Sequence, residues 1–338
     1  MTHKPAPNST RTSSKDPINK LLASMTLGPI ATYRNLALAP IESEHQPHTP
    51  YLGFKQAWFS GHIAADELSQ EGVVAEVKVD NAAKTGVLLL DGEELVGMKQ
   101  NRVFATTVLI PAHSSLTIPV SCSEAGRWSD RSAKTMASDA LMAQSLRVKK
   151  MMATERNPHA SGSPSRRYRV DQDLVWAEIL DLQERLGVRS PTEALRDLYR
   201  AKKAAIEQYL EALSEALVGQ GLVVWLNGRL AGMEWLSRPE VYATVCTQLV
   251  RSYILDALRQ HEGTALPAHQ ETAYRFIERC QSARSRGMDS VGLGRDIRYT
   301  GEDGFVGSCL VHQDEVIHAG FYPAELSPRQ PSRSRSTR

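Results

Sequence analysis

Two polar segments of the chain carry the residue types from which an active site could be built. Residues 91–102 read DGEELVGMKQNR and residues 121–129 read SCSEAGRWS, on either side of a strand-like apolar stretch. Asp-Gly is a favoured turn dipeptide, so the carboxylates of Asp91, Glu93 and Glu94 are expected to converge on one small volume. Converging carboxylates can divide the roles of general acid and base, or bind a hard cation through oxygen ligands.

Basic, amide and aromatic side chains accompany these acids. Arginine can clamp an anion through two parallel hydrogen bonds, and an indole ring offers a stacking surface. A phosphate-bearing ligand with a planar base would suit this mixture. We predict two catalytic candidates, Glu93 as general acid or base and Glu124 as the residue that orients water or a metal ion. The predicted ligand-binding residues are Asp91, Lys99, Gln100, Asn101, Arg102, Arg127 and Trp128.

The same residues also have a purely structural interpretation. Opposite charges on neighbouring strands stabilise a sheet slightly without any function. For a single residue this interpretation is favoured, whereas a cluster of several unlike polar types favours a site. The two differ in one observable, because site residues should line one concavity and structural residues should be buried in mutual ion pairs. The sequence leaves open any metal ion, any cofactor and the oligomeric state.

Composition excludes several classes of protein. The 338 residues are 41% hydrophobic and 23% charged, which is ordinary for a globular protein with a sizeable core. A formal net charge of +2 is too small to indicate a nucleic-acid partner. The four cysteines lie far apart, which argues against a disulfide framework and a cysteine zinc site. No signal-peptide core and no stretch of membrane-spanning length is present, so we expect a soluble, cytoplasmic protein without a membrane partner.

The secondary-structure pattern that must position the polar segments changes once along the chain, from strand-like to helical. Short apolar runs separated by turn signals dominate the first part, and helical periodicity dominates the second. We therefore predict an α+β fold, with a β-rich antiparallel sandwich or barrel-like N-terminal half packed against a helical C-terminal half that contains two β-hairpins. The predicted segments are a disordered 1–19, a β-rich 20–129, a basic connector 130–169, an α+β 170–325 forming one unit with the β-rich half, and a disordered 326–338.

Capping and turn residues give the C-terminal half its predicted boundaries. Residues 190–193, SPTE, form a capping box that predicts a long helix ending near Val218. Residues 237–240, SRPE, repeat this logic before a second helix. The dipeptides at 227–228 and 313–314 predict the turns of the two hairpins.

The connector is rich in bases, with Glu155 as the one acid after position 140. A solvated linker is the favoured interpretation, and a phosphate-attracting flap is the alternative. The bases in question are Arg147, Lys149, Lys150, Arg156, Arg166, Arg167 and Arg169.

Residues 88–102 and 118–128 resemble the ARG and Rhodanese-Phosphatase-superfamily-associated protein domain, where ARG denotes ADP-ribosylglycohydrolase. The resemblance spans most of residues 24–325. It departs from the family pattern at Ser123, where an apolar residue is usual, and at residues 130–131. The family name records associations, so ADP-ribose or related phosphorylated nucleotide metabolism is implied by association alone.

Three functional hypotheses follow from the residues and the resemblance together. The first is an enzyme that acts on an ADP-ribose-like or other phosphorylated substrate. The second is a non-catalytic sensor that binds such a ligand. The third is a structural or interaction module whose polar motifs hold parts of the fold together.

Overall fold

The structure of the protein is a computed structural model. It describes residues 16–68, 75–128, 135–155, 167–168, 171–260, 266–302 and 304–323. The predicted tail 326–338, most of the predicted segment 1–19 and much of the connector, including Arg156, Arg166 and Arg169, lie outside these ranges. The division of the chain into five segments stays a prediction.

Eight α-helices and 18 β-strands form within the described residues. The helices are α1 (Asp16–Ser24), α2 (Phe54–Phe59), α3 (Gln144–Glu155), α4 (Gln172–Arg185), α5 (Leu195–Ala201), α6 (Lys203–Ala212), α7 (Pro239–Arg259) and α8 (Gln270–Ser282). The strands are β1 (Thr26–Leu27), β2 (Ala31–Tyr33), β3 (Leu36–Glu42), β4 (Tyr51–Gly53), β5 (Ile63–Glu67), β6 (Glu76–Asn81), β7 (Gly86–Leu89), β8 (Glu93–Val96), β9 (Arg102–Phe104), β10 (Val108–Ile110), β11 (Ser114–Cys122), β12 (Met136–Leu141), β13 (Gly221–Leu226), β14 (Arg229–Leu236), β15 (Arg284–Asp289), β16 (Arg295–Thr300), β17 (Val306–His312) and β18 (Glu315–Tyr322).

The largest sheet contains both predicted hairpins. Its strand order is β1-β3-β13-β14-β18-β17-β16-β15, with β2 paired to β3, and all its pairings are antiparallel. The β13–β14 turn at Asn227 and Gly228 and the β17–β18 turn at Gln313 and Asp314 have positive φ at both central residues. Primed turns of this kind match the twist of the flanking strands, so these hairpins are confirmed.

The polar motifs lie in a second, six-stranded sheet with the order β12-β8-β9-β11-β6-β5. A separate three-stranded sheet has the order β10-β7-β4, in which β4 and β7 are parallel. Residues 91–92 form the expected turn, but the strands on either side of it belong to different sheets and do not pair with each other. The turn therefore carries the chain from one sheet to the next instead of closing a hairpin.

The prediction of a β-rich N-terminal half packed on a helical C-terminal half is wrong, although the chain is α+β. Strands are spread along the whole chain, and the largest sheet joins β3 to β13, with Leu222 opposite Pro40. The free edge of the β13–β14 hairpin has backbone N–H and C=O groups that need partners, and β3 supplies them. Local periodicity identifies a strand but not a partner that lies about 180 residues away, and this is why the prediction failed.

Helix α7 crosses the interior and places one wall of the candidate site. It begins directly at Pro239, as the second capping signal predicted, and Leu249, Tyr253 and Ile254 on it are fully buried. It packs against β12 and α6 as well as against the largest sheet. No helix in the described ranges is both long and apolar enough to cross a membrane.

Candidate functional site

The two polar motifs meet because their strands are neighbours. Strand β9 pairs with β8 on one side and with β11 on the other, with Arg102 opposite Cys122. The turn that leads into β8 requires Gly92, which has a φ of 89°. A Cβ atom there would lie 2.8 Å from Cδ of Arg147 and 3.0 Å from Cβ of Met142. The register thus brings residues 93–102 and 121–127 to one region of the six-stranded sheet.

Glu124 is fully buried and fully engaged by other groups of the protein. Its Oε2 accepts hydrogen bonds from Nε and Nη2 of Arg127 at 2.9 and 2.7 Å and from the backbone N–H of Asn101 at 3.3 Å. Its Oε1 accepts one from the Thr192 hydroxyl at 2.6 Å. Burial alone would raise the pKa of Glu124, but the hydrogen bonds from Arg127 and Thr192 outweigh it and lower this pKa.

Arg127 uses its remaining donors to close the loop between β8 and β9. Its Nη1 donates to the carbonyl of Met98 at 2.7 Å, and its Nη2 lies 3.2 Å from Oδ1 of Asn101. Met98 has a φ of 55°, so this loop passes through the left-handed region. We call Glu124, Arg127, Asn101 and Thr192 the Glu124–Arg127 network. It holds together three stretches of chain that are distant in sequence.

Arg102, Lys99 and Trp128 form a second group at the end of the same sheet. The fully buried Arg102 contacts Sγ of Cys122 through Nη1, and its Nη2 lies 3.6 Å from Glu67. The Trp128 ring, 49% exposed, has Lys99 Nζ at 5.6 Å and Arg102 Cζ at 5.9 Å from its centroid. This stacking is consistent with cation–π attraction. Burial raises the pKa of the Cys122 thiol even though Arg102 favours the thiolate.

Asp91 forms an ion pair that none of the other predicted acids shares. It pairs with Lys150 of α3, which also donates to the carbonyl of Phe104 at 3.2 Å. Lys150 is 1% exposed, and burial lowers its pKa. On the same helix, Arg147 makes a two-pronged ion pair with Glu234 at 3.0 and 2.8 Å. These two bases of the connector, expected in solvent, are therefore buried.

Glu93 and Glu94 are adjacent on β8 and point to opposite faces of the sheet. Both are buried. Oε2 of Glu93 accepts the N–H of Leu90 at 2.7 Å, and Oε1 of Glu94 accepts the Ser123 hydroxyl at 2.7 Å. Burial raises the pKa of Glu93 to about 8 and that of Glu94 to about 7. Each keeps one carboxyl oxygen without a hydrogen-bond partner among the described residues.

A cleft of about 500 Å³ opens beside the motifs, between β12 and the helices α5, α6 and α7. None of the nine predicted site residues lines it. Val96 and Tyr199 contribute to its walls, and the acidic Asp139 and Glu207 also line it. The lining also includes the polar Ser138 and four bases, Arg196, Arg200, Lys203 and Arg251, and we call it the basic cleft.

The four bases of the basic cleft are not equally neutralised. Arg200 lies 3.3 Å from Asp197 and Lys203 lies 3.6 Å from Glu207, and both are well exposed. Arg196 and Arg251 are half-buried, and neither has a carboxylate within 4 Å in the described part of the chain. The Arg251 guanidinium lies 5.4 Å from the Tyr199 ring centroid. The buried Nε of Arg251 has no hydrogen-bond partner among the described residues.

Sequence reasoning missed these bases, although a signal was present. Arg196, Arg200 and Lys203 are spaced at i, i+4 and i+7, which places three positive charges on one side of a helical segment. Arg251 had no comparable signal, since no other Lys or Arg lies within seven residues of it in the sequence. Across the described residues, no group of three or more His, Cys, Asp and Glu side chains is arranged to hold a metal ion.

Comparison with known proteins identifies the family. A sequence model of the ARG and Rhodanese-Phosphatase-superfamily-associated Protein domain matches residues 24–322. No curated protein and no solved structure matches the chain. The match confirms the resemblance found on the two motifs. The chain belongs to this domain family.

Proposed function

From this family membership and the geometry of the basic cleft, we propose that the protein binds a phosphorylated small molecule of the ADP-ribose class in that cleft. The observation that carries the proposal is the pair Arg196 and Arg251, two half-buried guanidinium groups that line a cavity and have no carboxylate within 4 Å among the described residues. A guanidinium group binds phosphate oxygens through paired, charge-assisted hydrogen bonds.

The size of the cleft supports the same class of ligand. A volume of about 500 Å³ lies within the roughly 300–1,000 Å³ range of small-molecule pockets. Arg200 and Lys203 at the rim add positive charge that would raise the local concentration of an anion. Tyr199 and Leu210 supply aromatic and apolar wall for the uncharged part of the ligand.

In this proposal the residues of the two polar motifs do not bind the ligand but hold in place the helix that carries Arg196. Thr192 and Ala194 are held to Glu124 and its backbone, and α5, which carries Arg196, starts directly after them. The Glu124–Arg127 network thereby fixes the position at which α5 begins. Catalytic roles for Glu93 and Glu124, ligand contacts from the other predicted residues, and a cytoplasmic location stay predictions.

The network itself favours a second candidate, the structural or interaction module. Glu124 and Arg127 are saturated by groups of the same chain, which is the arrangement expected of residues that hold a fold together. A structural module requires no ligand, so a binding measurement distinguishes it from the proposed ligand-binding protein.

A thermal-shift panel with ADP-ribose, NAD, AMP and inorganic phosphate, each with and without Mg²⁺, tests the proposal. We expect ADP-ribose at a large excess to raise the melting temperature of the wild type, because a ligand that binds only the folded state stabilises it. The double variant Arg196→Gln/Arg251→Gln should lose this shift, and Arg185→Ala, on the exposed face of α4, should keep it. An unchanged melting temperature with every compound would refute the proposal and favour the structural module.

A further inference from the structure

Glu94 lies directly behind the wall of the basic cleft. It shares one face of β8 with Val96, which lines the cleft, because side chains two residues apart on a strand point the same way. Strand β12, which pairs with β8 through Met136 and Val96, supplies the cleft residue Ser138. The hydroxyl of Ser138 and the guanidinium of Arg196 both favour the charged form of the Glu94 carboxyl.

We propose that binding of an anion in the basic cleft is coupled to protonation of Glu94. This inference rests on the proposed function, because it concerns how the same cleft is regulated. Arg196 lines the cleft and also interacts electrostatically with Glu94. The ionised carboxylate and a bound anion therefore compete for one positive charge and repel each other.

The groups around Glu94 leave its charge only partly compensated. Ser123 donates to Oε1, whereas Oε2 has no hydrogen-bond partner among the described residues. Glu124, in the segment after β11, faces it with a like charge. On α5, Arg196 is the opposing cation and the Tyr199 hydroxyl is the other titratable group that interacts with it. The carboxyl is fully buried, so its ionised form is costly.

The sign of the coupling follows from these contacts. Burial raises the pKa of Glu94 to about 7. Below this pH the carboxyl is neutral, Arg196 is available to the ligand and anion affinity is highest. Above it the carboxylate repels the ligand, so affinity falls until a plateau is reached. By linkage, the bound anion raises the pKa of Glu94 and binding takes up a proton.

Calorimetric titration with sulfate between pH 6 and pH 8.5 tests the coupling, because sulfate does not itself titrate in this range. We expect the wild type to bind sulfate about three- to tenfold more weakly at pH 8 than at pH 6, since a coupling free energy commonly corresponds to several-fold changes in affinity. Near pH 7, two buffers that differ in ionisation enthalpy should reveal proton uptake of up to one per anion bound.

Glu94→Gln should bind sulfate with an affinity that does not change across this pH range. Glu155→Gln is the matched control, since Glu155 on α3 is a partly buried carboxyl whose pKa burial also raises and it does not line the cleft, so this variant should keep the wild-type dependence. If Glu94→Gln does not fold, proton uptake by the wild type decides the question alone. Sulfate binding without pH dependence or proton uptake overturns the coupling and leaves the cleft intact. Failure of both sulfate and ADP-ribose to bind at every pH overturns the proposed function as well.

Discussion

The Glu124–Arg127 network and the basic cleft both contain buried or half-buried arginines, but these arginines differ in whether a carboxylate pairs with them. In the network, each oxygen of Glu124 accepts a hydrogen bond and Arg127 donates to Glu124 and to backbone carbonyls. In the cleft, Arg196 and Arg251 face a cavity and no described carboxylate lies within 4 Å of them. Density of polar residues in the sequence pointed to the network, whereas uncompensated charge beside a cavity points to the cleft. In our proposal the ligand lies in the cleft because its bases have charge available for one.

Removing one partner from the Glu124–Arg127 network should cause the largest loss of stability. Arg127→Met leaves the buried Glu124 carboxylate without its cation, and we expect a loss of about 3–5 kcal/mol in the free energy of unfolding. Urea denaturation measures this loss. Arg185→Ala, which removes an exposed pair with Asp181, should cost less than about 1 kcal/mol. A stable Arg127→Met that has lost ligand binding would instead place the site in the network.

Glu93 should make stability depend on pH. Burial raises its pKa to about 8 from an ordinary 4.5, so the folded protein keeps a proton that the unfolded chain loses. This contribution to stability is fully present below pH 4.5 and is lost as the pH rises through 8. We expect Glu93→Gln to remove roughly 3 kcal/mol of the decline between pH 5 and pH 8. Parallel pH–stability curves for variant and wild type would show that Glu93 is ionised when folded.

Changing the inner bases of the cleft should affect binding more than stability. We expect Arg196→Gln and Arg251→Gln each to weaken ADP-ribose or sulfate binding at least tenfold, since a hydrogen bond to a charged group contributes about 1.5–3 kcal/mol. The free energy of unfolding should change by less than about 1 kcal/mol because neither residue has a carboxylate within 4 Å among the described residues. Calorimetry and urea denaturation on the same samples separate the two quantities. Equal losses in both would assign these arginines to the fold.

Substituting a base at the rim of the cleft should have the smallest effect on anion binding. Arg200 is exposed and already pairs with Asp197. We expect Arg200→Ala to weaken anion binding less than threefold, because exposed ion pairs are commonly worth less than about 1 kcal/mol. This difference should shrink further at high salt. A larger effect from Arg200 than from Arg196 would move the ligand from the cleft interior to its rim.

Local signals predicted the elements whose partners are close in sequence. The hairpin turns at residues 227–228 and 313–314 and the start of α7 at Pro239 agree with prediction. The capping box at 190–193 does not, because α5 begins at Leu195 and Glu193 has a φ of 55°. Thr192 bonds to Glu124 there, and its carbonyl accepts the N–H of Gly126. Because Thr192 makes these tertiary contacts, residues 190–193 do not form the first turn of a helix.

The family, the α+β class, the hairpin turns and the two polar motifs could be recognised in the amino-acid sequence, since residue types and their spacing along the chain carry these signals. Three features depend on the folded chain: β3 pairs with β13, Glu124 is neutralised by Arg127, and no described carboxylate lies within 4 Å of Arg196 or Arg251. Hydrogen bonds and ion pairs form between neighbours in space, and burial sets their strength. The charge state of a site is therefore a property of the folded chain, whatever the density of polar residues along it.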